Sequence, residues 1–279
     1  MNVVTIFNYP NKSFPNFMQR FWLAQVNKFG AGANVYLITG NHGISDYVMD
    51  FIDNRCDKIN IEIVHGERDP NEMKLKEITT KRNILFNAHN IMKFGKSLSE
   101  SIIFIDADAF VFHPLSELWQ YADDKPFIGT SHAAFAKYLN AGVLTISDWS
   151  FMDYDKMMET FIENKSRYKE IIKICSKLPW SHSTAAFLRT GGVRGGGFQS
   201  FLTSYFISND YHPYYDKVTK DWNWFGRHAE LKYSESRGWY PTIPISKAKK
   251  CGVTNAKVLD YYSNSKGLLK NHGVFKEYG

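Results

Sequence analysis

The run IIFIDADAFVFHPLSELW, residues 102–119, decides how this chain is read. Its first four residues, Ile102 to Ile105, are all apolar, as in a parallel-sheet strand covered on both faces. Asp106 and Asp108 follow at once, two carboxylates one residue apart. Acids so spaced at a strand end can place both side chains, directly or through water, on one hard cation such as Mg²⁺ or Mn²⁺.

Working outward, Val3 to Asn8 reads as a buried strand. Phe14, Phe17, Met18, Phe21, Trp22 and Val26 then recur at helical spacing until Gly30. Ala33 to Thr39 is the next strand, Ser45 is placed to cap a helix running to Arg55, and Ile59 to Val64 is a third strand. A helix is expected over 76–94 ahead of the Ile102 strand. This alternation predicts an α/β fold with a doubly wound, mostly parallel central sheet flanked by helices. Ligands of such sheets bind at the carboxyl ends of the strands, where Asp106 and Asp108 fall. Beyond Pro114 the pattern loosens: strands near 127–130 and 142–146, a polar helix around 155–175, then the Gly-rich GGVRGGG.

A chain of 279 residues, 44% hydrophobic, can bury a large core and is not a disordered protein. No apolar run approaches the roughly 18–20 residues a bilayer span needs, and MNVVTIFNYPNK lacks the features of a signal peptide. A cytoplasmic protein of a microbial or viral system is therefore expected. Cys56, Cys175 and Cys251 form no zinc pattern and read as reduced packing residues. The net charge of +6 suits nucleic acid, a membrane surface or a polyphosphate ligand without choosing among them. Trp180, Trp222, Trp224 and Trp239 lie near polar, Gly-rich sequence, as sugar sites often require.

The run from Ile102 to Trp119 resembles the DxD signature of GT-A glycosyltransferases. The likeness is closest to the retaining family 6, the blood-group and α-1,3-galactosyl transferases, with features similar to family 8. It implies a Rossmann-like GT-A fold and a single catalytic domain over 1–279. Residues 1–112 form the nucleotide-sugar half, and 113–279 form the acceptor half with a C-terminal lid. In that likeness Asp106-Ala107-Asp108 holds metal and diphosphate, and VTIFNYPN places Phe7, Asn8 and Tyr9 near base and ribose. Lys81 and Arg82 resemble the basic pair that contacts donor phosphate or sugar. FIGTSH resembles a segment bordering donor and acceptor, with His132 its residue of interest.

LNAGVLTIS is similar instead to a family 8 motif whose Asn, here Asn140, contacts the donor sugar. Gly191 and Gly192 in RTGGVRGGGFQSF resemble a Gly-rich segment beside the transferred sugar, where backbone must approach closely. DWNWFGRHAELKY resembles the stretch that carries the catalytic acid. Asp221 is the favoured acid, with Glu230 the other choice, and Arg227 falls where family 6 has its Glu. LLKNHGVFKEYG resembles the closing tail of both families. There His272 is a third metal ligand in the family 8 manner, and Lys276 is a diphosphate contact.

The implied activity is transfer of a hexosyl, pentosyl or deoxyhexosyl group from a nucleoside diphosphate sugar to an acceptor hydroxyl on a glycan or glycoconjugate. Retention of configuration and Mn²⁺ or Mg²⁺ are implied with it; a UDP-sugar is the favoured donor and a GDP-sugar the other. Two further readings stand beside it. A nucleotidyltransferase acting on sugar phosphates would need an early Gly-rich basic loop, which NYPNKSFPN does not supply. A non-catalytic carbohydrate- or nucleic-acid-binding module would use the basic surface, but paired acids repel nucleic-acid phosphate unless metal intervenes.

Overall fold

A computed structural model of the chain describes residues 1–9, 11–68, 82–131, 139–167, 170, 173–174, 197–211, 221–222, 224–225, 229–244, 246, 256–261, 269 and 273–278. The first half alternates as the sequence predicts. Strands β1 (Asn2–Phe7), β2 (Asn34–Thr39), β3 (Asn60–His65) and β4 (Ile102–Ile105) alternate with helices α1 (Ser13–Phe29), α2 (Asp46–Arg55) and α3 (Arg82–Leu98). Strand β5 (Ala109–Val111) and helix α4 (Leu115–Ala122) come next, then β6 (Phe127–Ser131), β7 (Leu139–Ile146), α5 (Tyr154–Ser166) and α6 (Gly197–Ser208). Strands β8 (Trp224–Phe225), β9 (Glu230–Ser234), β10 (Gly238–Thr242) and β11 (Val258–Asp260) precede a short terminal helix, α7 (Val274–Tyr278).

Six strands form the central sheet in the order β3-β2-β1-β4-β7-β6. Neighbours among β1 to β4 are parallel, while β7 is antiparallel to both β4 and β6. The chain fills β1, β2 and β3 in one direction and then places β4 on the other side of β1. That reversal opens a crevice at the carboxyl ends of β1 and β4, where open α/β sheets take their ligands. The opposite edge is closed by an amide ladder. Asn60 donates to Asn34 at 3.2 Å, Asn34 to Asn2 at 3.3 Å, and Asn2 to Glu100 Oε2 at 2.7 Å.

The apolar run of β4 is buried on both faces because it divides between two cores. Ile103 and Ile105 join Phe21, Trp22 and Phe110 on the α1 side. Ile102 and Phe104 join Ile91, Met92, Phe201 and Phe206 on the side of α3, α5 and α6. Two expectations need correction. Ser45 does occupy the cap position of α2, but its hydroxyl makes no capping bond and is buried without a partner among the described residues. The polar helix starts at Tyr154, one residue earlier than expected, with Asp153 accepting from the Lys156 amide at its cap.

Candidate functional site

At Asp106 the chain leaves the central sheet. The Asp106 amide donates to the Gly142 carbonyl of β7 at 2.8 Å, and its own carbonyl accepts from the Ala109 amide at 2.9 Å. The tight turn so formed sends β5 into a second, three-stranded sheet of order β5-β11-β8. Ala107 inside the turn is 1% exposed, so a small residue suits the position. The Asp106 carboxylate accepts from the Ala107 amide at 3.0 Å, and Asp108 is 5% exposed. The Asp108 carbonyl takes the Tyr261 amide at 2.9 Å, which locks the second acid to the end of β11. The acidic triplet is therefore the joint between two sheets, at the carboxyl edge of the larger one.

Several other expected residues come to that same edge. Asn140-Ala141-Gly142 opens β7, which runs antiparallel to β4, so Gly142 stands beside Asp106. Asn8 and Tyr9 follow β1 and are half-buried. The Phe7 side chain is 0% exposed, edge-on to Trp22 at 5.5 Å, and belongs to the core, which leaves the residue's backbone at the strand end for a ligand. Arg82 is the first residue of α3. Partway along that helix, the Asn90 side chain accepts from the Glu67 amide at 2.7 Å and donates to the Glu67 carbonyl at 2.9 Å, clasping the chain just past β3.

The structure does not bring Asp221 to the triplet. Its carbonyl accepts from the Lys257 amide at 2.7 Å, while Lys257 in turn gives its carbonyl to Phe112. Along β11, Ala109 stands opposite Asp260 and Val111 opposite Val258. Lys257 thus lies three residues from Asp260, about 10 Å along the strand, away from Asp108. Asp221 there borders a charged cluster. The Lys257 ammonium is 2.9 Å from Glu117 Oε2 and 4.8 Å over the Trp222 ring. His113 Nε2 is 2.6 Å from Glu117 Oε1. Burial pushes the Asp221 carboxyl up, against the pull of Lys257 and His113. The hydrogen bond from Lys257 holds Glu117 below its ordinary value.

Glu230 opens β9, exposed, opposite Thr242 of β10. Lys276 is exposed on α7. This terminal helix is held by rings: Phe275 lies 4.9 Å from Phe17 and 6.2 Å from Phe14, and Tyr278 lies 5.4 Å from Phe21. Trp239 supports it from the β9–β10 hairpin, donating to Glu277 at 2.5 Å. Lys81, His132, Gly191, Gly192, Arg227 and His272 lie outside the described residues.

Two carboxylates offer oxygen-only ligation, which fits a hard cation that draws its remaining oxygens from a diphosphate and water. Among the described residues, no group of three or more His, Cys, Asp or Glu could hold a metal ion unaided. Sequence reading missed Gly40 and Gly66, which follow β2 and β3 directly, and the backbone tie from Tyr261. A strand ending on Gly was a signal for the glycines; nothing local marked the tie.

No protein-family model matches the sequence, and no curated protein sequence does either. Solved structures do match. The galactosyltransferase LgtC, crystallised with donor and acceptor sugar analogs, aligns over 100% of this chain and 95% of its own at a TM-score of 0.55 and 15% identity. Mouse xyloside xylosyltransferase 1 covers 95% of this chain and 99% of its own, with a TM-score of 0.51 and 11% identity. The glycosyltransferase GlyE of Streptococcus pneumoniae TIGR4 aligns over 99% of this chain and 60% of its own, at 0.53 and 12%. The fold is the GT-A type, mixed α/β with a central, mostly parallel sheet flanked by helices. Among the described residues no helix is long and apolar enough to cross a membrane.

Proposed function

We propose that this chain is a glycosyltransferase that moves a sugar from a nucleoside diphosphate to an acceptor hydroxyl, with Mn²⁺ or Mg²⁺ held at Asp106 and Asp108. The observation that carries the reading is the place of the triplet: an acidic turn between two sheets, beside the crevice at the ends of β1 and β4. The GT-A fold supports it. Bound there, the metal would offset the charge growing on the diphosphate as its bond to the anomeric carbon breaks.

The chain's own residues have separate tasks in this account. Asp106 and Asp108 would hold the ion, and the bond from the Tyr261 amide fixes the backbone of Asp108. Asn8 and Tyr9 take the nucleoside. Arg82 at the start of α3 and Lys276 on the terminal helix hold diphosphate oxygens, with His272 as a further metal ligand. The backbone around Asn140 faces the transferred sugar, beside Lys81, His132, Gly191 and Gly192. Retention of configuration and a UDP-sugar donor complete the proposal. Asp221, beside Lys257 at the start of β11, is assigned to the charged cluster with Glu117 and His113 in this account.

The test is a thermal-shift screen of UDP-, GDP- and dTDP-sugars with and without Mn²⁺, since a ligand of the native state raises its apparent stability by mass action. One donor is expected to stabilise the protein only with metal, and Asp108→Asn to abolish that shift. A metal-dependent shift that survives in Asp108→Asn would sink the reading.

A further inference from the structure

Asn8 follows β1 and Gly40 follows β2. With Phe7 opposite Thr39 in the parallel register, the two residues stand side by side at the carboxyl edge. The Asn8 side chain lies across Gly40: a Cβ there would fall 2.2 Å from Asn8 Oδ1, 2.6 Å from Cγ and 3.0 Å from Nδ2. Gly40 is outside the left-handed region, which among the described glycines holds Gly32, Gly43 and Gly238. Its lack of a side chain therefore serves the contact with Asn8 rather than the backbone.

The neighbouring strand repeats the pattern. Gly66 follows β3, its amide donating to the Thr39 carbonyl at 2.7 Å, and it sits tightly under Phe86, Asn90 and Ile38. At both strand ends a neighbouring side chain thus occupies the space that a Cβ would take, Asn8 over Gly40 and Phe86 over Gly66. No hydrogen bond ties the Asn8 amide to another described residue, and the side chain is half-buried, so a ligand in the crevice can reach it. An amide offers one acceptor and two donors, which suits a base edge or ribose hydroxyls.

We infer that Gly40 is a positioning residue for nucleoside binding, giving the Asn8 amide the space to lie across the β1–β2 junction. This inference rests on the proposed function. A methyl group at residue 40 displaces the amide, the flexible end of a side chain, and leaves the strand ends in place.

The experiment is calorimetric titration of the full chain with UDP and with GDP in Mn²⁺, for the wild type, Gly40→Ala, Asn8→Ala and the double variant. Each single variant is expected to weaken binding of the preferred nucleotide about tenfold. The double variant should be no weaker than Asn8→Ala alone, since both changes act on one group. Unfolding midpoints of the ligand-free proteins should stay within about 2 °C of the wild type. Wild-type affinity in either single variant would overturn the inference and leave the proposed function standing. So would a Gly40→Ala loss that persists undiminished in the Asn8→Ala background. If the wild type binds neither nucleotide, the proposed function falls and this inference with it.

Discussion

The Tyr261 amide donates to the Asp108 carbonyl at 2.9 Å, so a strand from the far end of the chain holds the second acid of the triplet. Because the bond is between backbone groups, it survives substitution of either side chain. Changes at Asp108 and Tyr261 therefore separate chemistry from folding.

For Asp108→Asn, donor-dependent sugar transfer is expected to fall about 10³-fold, because a metal's stabilisation of developing charge amounts to several kcal/mol. The unfolding midpoint without metal should stay close to that of the wild type, since the backbone bond from Tyr261 is untouched and the amide has nearly the carboxylate's shape. Steady-state kinetics and thermal denaturation of one preparation check both halves.

Tyr261→Phe should leave the protein as stable as the wild type or more so. The Tyr261 hydroxyl is fully buried with no hydrogen-bond partner among the described residues, and its burial raises the phenol's pKa. An unpartnered buried hydroxyl costs about 1–3 kcal/mol, so removing it relieves a penalty. A lower denaturant midpoint in the variant would show that the hydroxyl is bonded in solution.

Asp221→Asn tests the placement of that acid at the far end of β11. With burial raising its carboxyl, the folded chain binds the proton more tightly than the unfolded one. Its stability cost therefore appears as pH rises above the ordinary value of 3.8 and persists at neutrality. The variant should melt at or above the wild-type temperature at pH 7, with the two curves converging below pH 3.8, and it should keep its transfer activity. A large loss of kcat would restore Asp221 to the reacting centre.

Phe275→Ala is expected to loosen α7 by about 2 kcal/mol, a half-buried ring losing part of what a fully buried one contributes. Phe275 touches Phe14 and Phe17 of α1, while Tyr278 and Trp239 hold the helix elsewhere, so the effect is local. Hydrogen exchange should speed up over residues 274–278 and stay unchanged in β1 and β4. If the tail serves the diphosphate, donor KM rises with it.

Much of the first half was legible because its signals are local. Hydrophobic spacing in Phe14 to Val26 and the uninterrupted Ile102 to Ile105 record which faces are buried. The acids after β4 sit where a parallel sheet exposes its strand ends. What stayed hidden depends on pairings between distant segments. No local pattern told that β5 would pair with β11, which sets Asp221 beside Lys257 at the start of β11 and ties Asp108 to Tyr261 at its end. The direction of the Phe7 side chain was likewise hidden, because a residue at a strand end can face core or crevice and only packing against Trp22 decides.

The sequence by itself determined the alternation of elements, the acidic triplet and its position after a doubly buried strand, since hydrophobic burial and charge are written residue by residue. Only the tertiary structure decided which residues share the triplet's edge. The β1–β2 register set Asn8 on Gly40, and the second sheet carried Asp221 away, because register is a relation between strands that neither one encodes alone.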